Sequence, residues 1–270
     1  MRTIPVVLMM MMSLGGTLSD PAHPAVAAPT PVVLILMENH GYAQIVGSKG
    51  APYLNGTFIP AGRLFTHYRA ITHPSLPNYL AMTSGSKQGC STDSCPRNSF
   101  GGNNIFNQLN RAGIGWSAWE ESMPGNCANA DSGRYVVRHN PPPYFTDLVS
   151  SGTCGTNDMP YPSTVPALTP FTFITPNICH DMHSCSISTG DTWLSHHVPD
   201  LLATGAIVIV TFDESTTSTN AVMTAEVGPG ITAGTRDGTH YSHYGLLGGL
   251  EEHFHMRKLK NAATANTLPV

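Results

Sequence analysis

Two pairs of adjacent oxygen donors, Glu38-Asn39 and Asp213-Glu214, each stand directly after a run of apolar residues. Carboxylate and amide oxygens are hard ligands that suit a divalent cation. A serine hydroxyl beside such a cation loses its proton more readily and needs no separate side-chain base. One serine is set apart by its neighbours. Ser75 lies in Thr72-His73-Pro74-Ser75-Leu76-Pro77-Asn78-Tyr79, where prolines on both sides pre-set the backbone. The segment then runs into a helix-like apolar stretch, and a helix entrance offers free backbone N–H groups to an anion. Nucleophile, cation and anion-binding donors together are what phosphoryl transfer requires. The plain alternative is that Ser75 only caps the helix.

Histidine is abundant, with 13 His against 13 Lys plus Arg. It is the commonest metal ligand and general acid or base. His180-Asp181-Met182-His183 follows a third apolar run, and His243 comes late in the chain with His240 as its neighbour and rival. His73 sits two residues before Ser75. In an extended segment the two side chains share a face, which would bring His73 to the same substrate group.

These residues need elements to hold them. Pro31 to Met37, Phe171 to Thr175 and Ala206 to Phe212 are short continuous apolar runs, the pattern of buried parallel strands. Helices are predicted from Asn78 to Thr83, Asn103 to Ala112, Asp191 to Leu202 and Gly245 to His253. Strands alternating with helices predict an α/β fold with a mainly parallel central sheet flanked by helices. Ligands of such sheets lie beyond the carboxyl ends of the strands, where all three runs terminate in acids or His. Acids there can also simply cap the next helix.

The composition narrows the setting. The chain has 270 residues, 11 % charged, with 26 Gly and 22 Pro, which predicts a loop-rich fold. A formal charge of −4 gives no basic stripe for a nucleic-acid scaffold. Met1-Arg2, the apolar stretch Ile4 to Leu14 and Ala25-Val26-Ala27 read as an export signal over residues 1 to about 28. No stretch reads as transmembrane. The expected location is therefore secreted. All six Cys lie beyond the signal, which predicts three disulfides. Sequence proximity favours Cys90–Cys95, Cys127–Cys154 and Cys179–Cys185. The stretch Ala128 to Pro166 reads as a disulfide-braced excursion from a domain over residues 29–256, and residues 257–270 as a loosely held tail.

VVLILMENHGY (32–42), THPSLPNYLAMTSG (72–85), WSAWEESMP (116–124), RHNPPPYF (138–145), FTFITPNICHDMH (171–183), IVIVTFDES (207–215) and HYGLLGGLEEHF (243–254) carry a resemblance. In this order they resemble the phosphoesterase family of bacterial acid phosphatases and phospholipases C, within the alkaline phosphatase superfamily. The resemblance implies an alkaline phosphatase-like fold and a small phosphate-ester substrate. It implies one divalent cation held by Glu38, Asn39, Asp213, Glu214 and Ser75, with Ser75 as nucleophile and Glu214 the softer ligand. His183 and His243 would grip the phosphate or protonate the leaving group, and His73, Asn78, His139 and Asp181 would contact substrate. Asp181, His183 and His243 could instead hold a second cation. Glu121 would orient a histidine. Gly248-Gly249 stands where the family more often has Arg or a polar pair, which predicts a softened last helix. The expected activity is phosphomonoester hydrolysis through a phosphoserine. The alternatives are a phospholipase C-type diesterase, a carboxyl-ester serine hydrolase, against which the lack of G-x-S-x-G counts, and a non-catalytic binding protein.

Overall fold

The computed structural model describes Met1 and residues 29–270. The export signal falls on residues 1 to about 28 and so, Met1 apart, lies outside the described residues.

The three apolar runs form the centre of the molecule. They are β1 (Val32–Met37), β5 (Phe171–Thr175) and β6 (Ile207–Phe212), and every residue in them is buried. They pair in parallel in the order β5-β1-β6. Continuous apolar runs suit this place, because a parallel strand at the centre is covered on both faces.

Five further strands complete an eight-stranded sheet of order β4-β3-β5-β1-β6-β7-β2-β8. They are β2 (Arg63–Arg69), β3 (Trp116–Glu120), β4 (Asp158–Pro160), β7 (Thr224–Val227) and β8 (Thr235–Ser242). Only β7 runs against the others. These strands lack a clear sequence signal for physical reasons. β8 is a mostly exposed edge strand with a Gly inside it, and β2 mixes charged and apolar residues.

The main helices are α1 (Ser75–Ser84), α2 (Ile105–Ala112), α3 (Ile187–Ala203) and α4 (His243–His253). Each overlaps a predicted one, and all but α2 start earlier than their patterns did. The N-terminus of α1 is set by Pro74 as N-cap with Pro77 in the first turn, and Gly85 ends it with φ 68°. All ten residues of α1 are buried, because it lies against α4 and under the Val137–His139 turn. The disulfides are Cys90–Cys95, Cys127–Cys154 and Cys179–Cys185, the pairing that proximity favoured. The excursion is ordered and adds β4 to the sheet edge beside β3.

The C-terminal segment corrects the expectation of a loose tail. Leu259, Ala262 and Leu268 are buried, and Leu268 N–H donates to the Gly245 carbonyl. The glycines of α4 make this possible. A Cβ on Gly245 would stand 2.2 Å from Asn266 O, and one on Gly249 2.1 Å from Leu268 O. They make room for the returning chain rather than soften the helix. Gly249→Ala is therefore expected to cost roughly 1–3 kcal/mol as an overpacking change. The urea midpoint reads it, and an unchanged midpoint would show that the segment yields freely.

Candidate active site

The order β5-β1-β6 puts three strand ends side by side, and their polar residues meet there. Asp213 N–H donates to Met37 O at 2.9 Å, and Asn39 N–H donates to Asp213 Oδ1 at 3.1 Å. Glu38 N–H donates to the Asp181 carbonyl at 2.8 Å. Asn39 has φ 54°, a left-handed conformation that Asn tolerates better than most side chains and that clusters at functional sites. Met182, with φ 78°, sits in the same region inside the Cys179–Cys185 loop.

Ser75 enters from α1. It is buried, and its hydroxyl donates to Glu38 Oε2 at 3.1 Å. The same hydroxyl lies close enough to the Asp213 and Glu214 carboxyls to favour their charged forms. Its side chain does not cap the helix, since the N-cap is Pro74. One helical turn on, Tyr79 shares the face of Ser75. Its hydroxyl donates to Glu38 Oε1 at 2.6 Å, and its ring stacks on His139 at 5.4 Å. Tyr79 was not among the expected site residues. The i, i+4 spacing within THPSLPNY is the signal that could have found it.

Four acids crowd this pocket. Burial, then the charges of Asp213 and Asp181, hold Glu38 well above the ordinary carboxylate range. Burial, then Glu214, pushes Asp213 up to about 8. Burial also raises Glu214 and Asp181 to about 7 each. Among the described residues no Lys or Arg comes within 4.0 Å of any of the four; their ion-pair partners are His73 and His139. Asp213 Oδ2 is buried with no hydrogen-bond partner. Such a cluster is unfavourable without a positive charge. The donors are hard oxygens facing one serine, so Glu38, Asp213, Glu214 and Ser75 fit a divalent cation.

The histidines divide differently from expectation. His139 Nδ1 and Asp181 Oδ2 are 3.1 Å apart, and His139 Nε2 lies 3.3 Å from Glu38 Oε1. Burial pushes His139 well below the usual histidine value and so favours the neutral ring. Asp181 bonded at Nδ1 selects the tautomer that leaves Nε2 as a lone pair. Asp181 also accepts from His183 N–H at 2.7 Å. One ligand atom from each of Glu38, His139 and His183 lies within 4.8 Å of the others. Any second cation would therefore find His139 beside His183. The set Asp181, His183 and His243 is not assembled.

His243 is held elsewhere. Its Nε2 is 2.6 Å from the Asp213 carbonyl and its Nδ1 2.9 Å from the Tyr68 hydroxyl. Both ring nitrogens are occupied and the ring is buried, which lowers its pKa to about 4. His240 is exposed and packs on His67. Asn78 likewise turns inward. Its amide accepts from Ile71 and Thr72 N–H and donates to the Thr72 and Pro74 carbonyls, which fixes the loop before Ser75. His73 reaches the site edge, with Nδ1 2.6 Å from Glu214 Oε2. Glu121 bonds His180, at 2.8 Å.

A mainly parallel sheet with buried oxygen donors and a helix-borne serine at its carboxyl edge defines a class. The fold is that of the alkaline phosphatase superfamily. A protein of that superfamily from Vibrio parahaemolyticus superposes with TM-score 0.61 at 13% identity, over 87% of this chain and 69% of that one. The chain belongs to the Phosphoesterase family, whose model matches residues 60–257. A phosphatidylinositol-3-phosphatase of Mycobacterium tuberculosis is 32% identical over 89% of this chain and 83% of its own length. A probable acid phosphatase of Kluyveromyces lactis is 29% identical over 88% of this chain, which spans 61% of that protein. The protein is a hydrolase of phosphoric ester bonds.

Proposed function

We propose that the protein is an exported, cation-dependent phosphomonoesterase of the acid phosphatase type that works through a phosphoserine at Ser75. The observation that carries this reading is the Ser75 hydroxyl set among Glu38, Asp213 and Glu214. A cation held by those three, with Asn39 beside them, would screen the phosphoryl oxygens and lower the pKa of the hydroxyl. Glu38 Oε2 already accepts the Ser75 proton in a hydrogen bond. Ser75 Oγ attacks phosphorus, the P–O bond to the alcohol breaks, and the alcohol leaves with a proton. Water then cleaves the phosphoserine. In this reading His183, half-buried beside Glu38 and His139, supplies the leaving-group proton. His139, neutral and fixed by Asp181, presents Nε2 to the site. His243 and Asn78 become positioning residues, the first for the Asp213 backbone and the second for the loop entering Ser75. Three disulfides and the absence of a membrane-spanning helix among the described residues support export.

The test is a panel of substrates for the cation-loaded protein. An aryl phosphomonoester is expected to give a higher kcat/KM than an aryl phosphodiester or a phosphocholine lipid. Preference for the lipid would favour the phospholipase C reading. Turnover of a carboxyl ester in excess chelator, with none of phosphate esters, would sink the proposal.

A further inference from the structure

A cavity of about 350 Å³ lies between the Cys90–Cys95 loop and the segment ending at Arg138. Its walls include Asp93, Arg97, Asp131, Val137 and Arg138. It shares two points with the candidate site. Asp93 Oδ1 accepts from Leu76 N–H at 3.0 Å, one residue beyond Ser75. Arg138 directly precedes His139, whose ring touches Glu38 and Asp181.

Arg138 is the unusual group there. Its side chain is only 20% exposed. Among the described residues its guanidinium makes no hydrogen bond, and the one carboxylate oxygen within reach is Asp93 Oδ2, 4.0 Å from Nε. That separation is too long for a hydrogen bond. A guanidinium carries five N–H donors, and burying them unpaired is costly. The nearby acids are committed elsewhere: Asp93 to Leu76 N–H, and Asp131 Oδ1 to Val137 N–H at 2.8 Å. Each is tied to backbone by one oxygen, and neither closes on Arg138. Arg138 thus lines the cavity with its guanidinium donors unpaired.

We propose that Arg138 is a specificity-determining residue that binds a second anionic group, a carboxylate or phosphate, on the alcohol portion of the substrate. The proposal rests on the phosphomonoesterase reading above and adds the substrate class. It places the alcohol portion of an ester bound at Ser75 in this cavity, whose volume of about 350 Å³ takes a single ring. A planar guanidinium holds a carboxylate or phosphate by two parallel hydrogen bonds. Arg97, exposed on the cavity wall, adds positive charge. The preferred esters are those whose leaving alcohol carries its own negative charge.

Calorimetry with non-hydrolysable ligands tests this without turnover. The probes are phenylphosphonate and its 3- and 4-carboxyphenyl analogues, each titrated into the cation-loaded protein. One carboxyphenyl probe is expected to bind roughly tenfold tighter than phenylphosphonate, as one added charge-assisted contact allows. Arg138→Gln should bring that ratio near one, and Arg138→Lys should restore part of it. Asp93→Asn keeps an acceptor for Leu76 and removes the opposing charge, so the ratio should rise. It also serves if the Arg138 variants fail to fold. A wild-type ratio of one, or a ratio untouched by Arg138→Gln, overturns the proposal, including the case where both probes weaken equally. Wild-type turnover of phenyl phosphate, measured alongside, reports separately on the phosphomonoesterase reading. Its absence with the tenfold ratio intact would sink that reading and leave the anion site standing.

Discussion

Ser75→Ala is expected to lower kcat on an aryl phosphate by roughly 10⁴-fold or more, as loss of a nucleophile does in other covalent hydrolases. The fold should persist. Ser75 is the first residue of α1 and its side chain does not cap the helix, so the loss removes no capping bond. The change also removes one donor to Glu38 Oε2, but Tyr79 still donates to the other oxygen. Far-UV circular dichroism and the thermal midpoint should therefore stay close to wild type while turnover disappears. Rapid quench with a ³²P-labelled ester should trap label on the wild-type protein and none on the variant. Activity retained within about tenfold would sink the nucleophile assignment, because no base acting on water alone would then need this serine.

Removal of the cation should have an effect as large, and it should depend on pH in a defined direction. Chelation is expected to bring activity down to the level of Ser75→Ala, and an added divalent cation to restore it. The stability effect follows from the four acids. In the cation-free protein the pKa of Asp213 is about 8, those of Glu214 and Asp181 are about 7, and that of Glu38 is raised well above its ordinary value, chiefly by burial. These folded-state values lie above those of the unfolded chain, near 4. Their contribution is fully present below about pH 4 and is lost as pH rises through 7 to 8. The chelated protein should thus lose thermal stability between pH 5 and pH 8, by roughly 5 °C or more for a chain of this size. A bound cation supplies the missing charge and displaces protons, so it should stabilise strongly at pH 8 and weakly at pH 5. Calorimetric scans with and without chelator at the two pH values check this. Identical scans at pH 8, with full activity in chelator, would overturn the cation site.

The sequence by itself determined the frame of the protein. Three uninterrupted apolar runs became β1, β5 and β6, because a strand buried on both faces has no polar side to alternate with. The ends of those runs marked where the acids would gather, and the prolines around Ser75 marked the start of a helix. Glycine and cysteine spacing was partly legible. The disulfides fell between near neighbours, but the Gly248-Gly249 pair was read as weakness when Gly249, like Gly245, is clearance for the returning chain.

Tertiary structure decided which side chains share the site. His139 meets Asp181 across 42 positions of sequence, and His243 meets Tyr68 across 175. No local pattern distinguishes a histidine aimed at the acids from one whose nitrogens are spent on a tyrosine and a carbonyl. Asn78 shows the same limit, since its motif is shared by a ligand contact and a loop brace. Arg138 stands out only because the cavity around it and the distance to Asp93 leave its donors unspent. Ser75 and its oxygen donors could be read along the chain, since each sits at the end of a continuous element. Which histidine serves them, and what Arg138 faces, depends on strand order and helix docking, and these exist only once the core has packed.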